Sequence, residues 1–217
     1  MKTSVFILTF TLLCFQLFTQ TTLELPKAVQ TKLNEGTSPE QIIKEGYPLD
    51  SIYGKDYQAG IIFYYDSITH NGMVMSKKDI HYPYNINATE IYWNCVDTIT
   101  GAKATKIGKG QENSNKIIAT RCKLYNTEEK SWMLGPADLC DLYKVGKFTN
   151  WYLPSKDELN QIYLHLAKPD RYSFLNHMYW SSSEKNERFA WIQFFRDGGQ
   201  AYYIKHFAYY VRAVHDF

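Results

Sequence analysis

Polar and apolar positions divide the chain into three zones. Lys2 is the only charge before an apolar run from Val5 to Phe18, which is shorter than the ~20 residues a membrane-spanning helix needs. This predicts a secretory signal over residues 1–20, cleaved near Thr19–Thr22, with a retained anchor as the competing reading. Residues 28–56 carry a faint repeat, most of it in the segment 21–53: SPEQIIKEG is echoed by PLDSIYGK, and Gly36, Gly46 and Gly54 are spaced by ten and eight. Short helical turns closed by left-handed glycines give that pattern. A short helical stalk is therefore expected, with an irregular loop as the alternative. One domain over residues 54–217 follows.

Within the domain, the continuous apolar run from Gly60 to Asp66 predicts a buried strand, and Asn71-Gly72 predicts a turn into a second strand at Met73–Met75. The chain then turns polar, with Trp93 and Cys95 as internal anchors. Helical spacing recurs over Asn113–Tyr125 and over Pro136–Tyr143, the latter with proline at its start and Gly146 as its stop. The third helix has the strongest signal. Ser155 and Glu158 form a capping box, and Leu159, Ile162, Tyr163 and Leu166 make one apolar face. Four aromatic strands are predicted after it: Tyr179–Ser182, Phe189–Phe195, Ala201–His206 and Tyr209–Val214, with Asp197-Gly198-Gly199 turning the middle pair. Helices in the middle and strands at the end imply an α+β domain with a twisted antiparallel sheet rather than alternating βαβ units.

Composition narrows the function classes. Loss of residues 1–20 leaves 23 basic against 22 acidic residues, which gives no case for nucleic acid. The 18 tyrosines suit a two-faced sheet or a sugar-stacking surface. Cys95, Cys122 and Cys140 remain after cleavage, so one disulfide and one spare thiol are expected in an oxidising compartment. Cys122 with Cys140 is the preferred pair, because both fall on predicted helices; Cys95 with either partner stays open. Neither CxxC nor HExxH occurs and the six histidines are scattered, so no metal site and no cofactor are predicted. Ser181-Ser182-Ser183 lacks the GxSxG elbow of a hydrolase, and no catalytic residue is assigned. Asn87-Ala88-Thr89 is a glycosylation sequon where the source glycosylates exported proteins.

Two constellations stand out. Glu184 and Arg212 both follow aromatic strand positions, and a carboxylate–guanidinium pair between adjacent strands is expected to lock the fold. Around the hairpin, Phe195, Arg196, Asp197, Tyr203 and Lys205 combine rings with charges of both signs, the chemistry of a sugar-binding surface. The alternative is an ordinary hairpin with one decorated face.

The order GIIFYYD, Trp93-x-Cys95, Gly108-x-Gly110 with Asn113, WYLPSKDEL, YWSSSE, Ala190-Trp191 with its glycine-containing hairpin, and VRAV resembles the Lcl C-terminal domain-like family over roughly residues 54–217. The glycine-spaced segment before it is similar to repeats that precede such domains in some secreted bacterial proteins. The resemblance implies a C-type-lectin-like fold of the group that includes sulfatase-modifying factors. It also implies a secreted or surface location and binding to glycosaminoglycan-like polysaccharide. The chain departs from its relatives in several places. No cysteine follows Cys140, where the formylglycine-generating branch has a pair; the calcium-lectin tripeptides are absent; and His215 stands where the family's VRAVR ending has its last arginine. The expected function is an exported, non-enzymatic binding or adhesion module for an extracellular glycan or surface protein. The alternatives are an enzyme related to the sulfatase-modifying factors, using a metal or a free Cys95 thiol, and a structural envelope component.

Overall fold

The computed structural model describes residues 25–83, 85, 87, 89–122, 124–126, 131–174 and 176–217, so the predicted signal lies outside the described residues. The chain forms an α+β domain with antiparallel sheets, as its pattern predicts. Residues 25–34 form helix α1 and Pro39–Lys44 form α2, capped by Ser38. Gly36 and Gly46 end these helices at φ 93° and 91°, and the amide after each bonds back into the helix, Thr37 to Lys32 O and Tyr47 to Ile42 O. Val29, Leu33, Ile42 and Ile52 from this segment are buried in the same hydrophobic cluster as the strands that follow. The expected stalk thus packs its apolar side chains into the common core.

Strands β1 (Asp56–Tyr57), β2 (Gly60–Tyr65), β3 (Gly72–Met75) and β11 (Val214–Asp216) form a four-stranded sheet in the order β1-β2-β3-β11. The last strand therefore closes onto one of the first, with Val214 opposite Met75 and Asp216 opposite Met73. A second sheet consists of β7 (Met178–Glu184), β8 (Phe189–Phe194) and β9 (Gln200–Ile204). Asp197 turns the β8–β9 hairpin: Gly198 adopts φ 81°, and the Asp197 carboxylate accepts the Gly199 amide at 3.0 Å. Short pairs join β4 (Ile91–Tyr92) to β10 (Ala208–Tyr209) and β5 (Leu124–Asn126) to β6 (Ser131–Met133).

Helices α3 (Gly110–Ala119), α4 (Pro136–Leu142) and α5 (Lys156–Ile162) lie between these strands in sequence. The capping box of α5 forms as predicted: Ser155 Oγ accepts the Glu158 amide, and Glu158 Oε2 accepts the Ser155 amide at 2.8 Å. Leu159, Ile162 and Leu166 are fully buried. A π turn over Tyr163–Ala167 follows, and it carries His165 inward to bond Phe63 O at 2.8 Å and stack on Tyr53. Trp93, Trp151 and Trp180 fill the interior, and the indole N–H groups of Trp93 and Trp180 reach Ser181 O and Ile91 O at 2.9 Å.

Three expectations are corrected. The helix predicted over Asn113–Tyr125 ends at Ala119, because Arg121 turns the chain at φ 55° and residues from Leu124 pair as β5. The last predicted strand, Tyr209–Val214, is two short ones, β10 and β11. The disulfide joins Cys95 to Cys122, not Cys122 to Cys140, with Cα atoms 4.9 Å apart. Left-handed backbone at Asn94 and Cys95 bends the loop toward the end of α3, while Cys140 is buried on the core side of α4. Burial pushes the Cys140 thiol well above its usual range.

Candidate functional site

The expected Glu184–Arg212 pair does not form, because each residue has a nearer partner. Glu184 Oε2 meets Lys205 Nζ at 2.9 Å and accepts the Thr100 amide at 2.8 Å and the Thr100 hydroxyl at 2.9 Å. The same ammonium donates to Thr98 O and lies 4.6 Å from the centre of the Trp93 ring. Burial opposes the Glu184 carboxylate, but the Thr100 amide and Lys205 outweigh it and hold the carboxyl below its usual range. Arg212 instead bonds Asp79 at 2.6 Å and Ser76 O at 2.9 Å, with its guanidinium against the Tyr172 and Phe174 rings.

The predicted ligand residues separate in the same way. Lys205 is fully buried, and Phe195 is buried among Phe174, Tyr179 and Tyr163 at ring distances of 4.8, 4.5 and 6.1 Å. Both therefore belong to the interior and not to a binding face. Arg196 and Asp197 sit at the exposed hairpin tip and pair with each other at 3.2 Å. Tyr203 is exposed, but it shares a sheet face with Ala190 and packs toward Phe194 and Tyr209. Of the five residues, only Arg196, Asp197 and Tyr203 reach the surface.

A different set converges on the opposite face of the hairpin. Strand register places Trp191 opposite Tyr202, with Phe189 two positions along β8. Their rings meet edge to face: Phe189 with Tyr202 at 5.6 Å and Trp191 with Tyr202 at 5.5 Å. Two cations lie over this strip. Lys156 Nζ stands 4.9 Å from the Trp191 ring centre, and Lys185 Nζ stands 5.9 Å from Trp191 and 5.7 Å from Tyr202. Lys156 is delivered by the first turn of α5, which Gln200 anchors by donating to Lys156 O at 3.0 Å. Tyr202, Tyr203 and Phe207 are 48%, 36% and 51% exposed. Since β9 is the outer strand of its sheet, the strip lies at an accessible margin. Sequence reasoning missed Trp191, Lys156 and Lys185, although the alternation of Phe189 and Trp191 along β8 was a usable signal.

The three consecutive serines are structural. Ser181 Oγ donates to Trp191 O at 2.8 Å, Ser183 Oγ donates to Ala104 O at 2.7 Å, and the Ser182 amide donates to Pro154 O at 2.7 Å. Cys95, the thiol an enzymatic reading would need, is consumed in the disulfide.

No protein-family model matches the chain, and no curated protein matches it. Among solved structures it is similar to a fimbrial protein from Bacteroides ovatus ATCC 8483, with a TM-score of 0.38 and 18% sequence identity. That likeness covers 66% of this chain and 35% of the other, so the chain spans about a third of that protein's length.

Proposed function

We propose that this protein is an exported binding module that holds an anionic polysaccharide on the strip formed by Phe189, Trp191 and Tyr202 under Lys156 and Lys185. The observation that carries this reading is the edge-to-face strip of half-buried Phe189 and Trp191 with exposed Tyr202 at the hairpin margin, with two ammonium groups over Trp191 and Tyr202. Sugar rings stack on aromatic faces, while ammonium groups meet carboxylate or sulfate substituents. An exposed cation–π contact contributes only about 0.5–1 kcal/mol, so a ligand can displace the lysines from the rings and keep their charge. Export is supported by the Cys95–Cys122 disulfide, which persists in oxidising compartments, and by the apolar run after Lys2. No described helix is long and apolar enough to cross a membrane. The resemblance to the Lcl C-terminal domain-like family points to the same ligand class.

Affinity electrophoresis in gels containing chondroitin sulfate, hyaluronan or neutral dextran tests the reading. Retardation by the two anionic polymers and not by dextran is expected. Tyr202→Ala and Lys185→Ala should each weaken it about fivefold to tenfold, as loss of about 1 kcal/mol predicts, without lowering the melting temperature. Equal migration of the wild-type chain in all three gels would overturn the proposal.

A further inference from the structure

A second concavity lies away from the strip. The segment after β3 runs beside the residues before β11, held by the Ser76 amide on Ala213 O and the Ile80 amide on Val211 O. Helix α4 faces this segment, and between them is a cavity of about 380 Å3, walled by Ile80, Pro83, Leu139, Leu142 and Tyr143. Lys78 and Lys144 line the same cavity. An adjoining cavity of about 460 Å3 shares Lys78, Asp79 and His81 and reaches Arg212. Such volumes lie in the range of small-molecule sites, about 300–1,000 Å3. Leu142 is 53% exposed at this wall, a large apolar side chain facing solvent beside the apolar interior of the groove.

The charges sort by pairing. Asp79 is bound by Arg212 at 2.6 Å, and Lys77 by Asp56 at 2.8 Å. The Lys78 and Lys144 ammonium groups have no ion-pair partner among the described residues. Among the described residues, the only carboxylate lining either cavity is thus already neutralised, and the uncompensated charge is positive. The floor is also preformed, since the Arg212–Asp79 pair is nearly buried and Arg212 is further fixed by Ser76 O.

We infer that this groove binds a small anionic amphiphile, a molecule with one carboxylate head and a short hydrocarbon or aryl body. The body covers Leu142, Tyr143 and Pro83, and the head is drawn to Lys78 and Lys144. Burying a chain against that wall contributes about 25 cal/mol per Å2 of apolar surface, and the two free cations supply the selectivity for a negative head.

Titration of the full chain with decanoate, 1-decanol and vesicles containing phosphatidylglycerol tests the inference, read by calorimetry, thermal shift and co-sedimentation. Decanoate should bind and raise the melting temperature, and decanol should bind at least about tenfold more weakly. The exposed double variant Lys78→Glu/Lys144→Glu should weaken decanoate binding about tenfold or more and Leu142→Asp about fivefold, while the unliganded melting temperature stays unchanged. Tyr202→Ala should leave decanoate binding intact, which separates this site from the polysaccharide strip. The inference fails if decanoate does not bind, if decanol binds equally well, or if the double variant binds like wild type. Capture by vesicles without decanoate binding would also overturn it, in favour of a lipid-surface contact.

Discussion

Two glutamates, Glu158 and Glu184, are both nearly closed to solvent, Glu158 the more deeply buried, and their surroundings drive them in opposite directions. Glu158 joins two helices: its Oε1 accepts the Lys109 and Gly110 amides at 3.0 and 3.1 Å, and its Oε2 accepts the Ser155 amide at 2.8 Å. Among the described residues no cation joins them. Burial pushes its carboxyl up to about 7, against the pull of the amides. Glu184 accepts the Thr100 and Gly101 amides in a comparable way, but Lys205 adds an ammonium at 2.9 Å, and the carboxyl stays below its usual range. Amide donors satisfy the geometry of a buried carboxylate. At Glu184 the Thr100 amide and the Lys205 charge together settle its ionisation.

The largest expected effect comes from making the second site resemble the first. Lys205→Met keeps an apolar stem against Trp93 but leaves Glu184 with amides and the Thr100 hydroxyl only. Breaking one side of a buried pair typically costs about 3–5 kcal/mol, and urea denaturation should show a loss of that order. Adding Glu184→Gln should recover part of it, because the uncompensated charge is then gone. A loss below about 1 kcal/mol for Lys205→Met would mean that amides alone suffice for a buried carboxylate here.

The next effect is one of pH. Glu158 has its carboxyl raised from 4.5 to about 7, so the folded chain holds that proton more tightly than the unfolded one. Its contribution to stability is full below about pH 4.5, declines as pH rises, and levels off above about 7. The decline is at most about 3 kcal/mol, at 1.36 kcal/mol per pKa unit. Glu184, with its lowered pKa, works with the opposite sign: its contribution is present above pH 4.5 and is lost on acidification below that. Urea midpoints measured from pH 4.5 to pH 8 should therefore fall in the wild-type chain and be nearly flat in Glu158→Gln. A flat wild-type profile would show that the three amides keep Glu158 ionised throughout.

The same contrast shows how far the sequence could be read. The Ser155–Glu158 capping box was legible because capping is local, with donor and acceptor three residues apart. The role of Gly110 was not. A Cβ there would overlap the Glu158 carboxylate and the Tyr152 ring, a close approach that exists only once α3 meets α5. Strand alternation placed the β8–β9 hairpin, and glycine spacing placed the ends of α1 and α2. Neither pattern says which of several buried charges will be neighbours. Glu184 and Arg212 were therefore paired with each other when their partners were Lys205 and Asp79, 21 and 133 residues away. The cysteine pairing was missed for a related reason. It depends on left-handed backbone at Asn94 and Cys95, where neither residue is a glycine that would advertise it. The aromatic strip needed strand register as well as strand location, and a lysine from a helix start that periodicity cannot attach to a sheet.

The smallest expected effect comes from a third glutamate that separates a shifted pKa from stability. Glu112 lies in the first turn of α3, the helix whose start Glu158 caps, and its carboxylate meets Lys116 Nζ at 2.8 Å and Lys109 Nζ at 2.9 Å. Hydrogen bonds to Lys116 and Lys109 pull its carboxyl down to about 2, as far below 4.5 as burial lifts Glu158 above it. Glu112 is exposed, however, and water and salt screen its two partners over a Debye length of about 8 Å at physiological ionic strength. Glu112→Gln should therefore leave the melting temperature within the scatter of replicate scans at about 0.15 M salt, with a small decrease emerging at about 0.01 M. A drop at the higher salt approaching that of Lys205→Met would show that the number of cationic partners, rather than exclusion of water, decides what a carboxylate contributes in this protein.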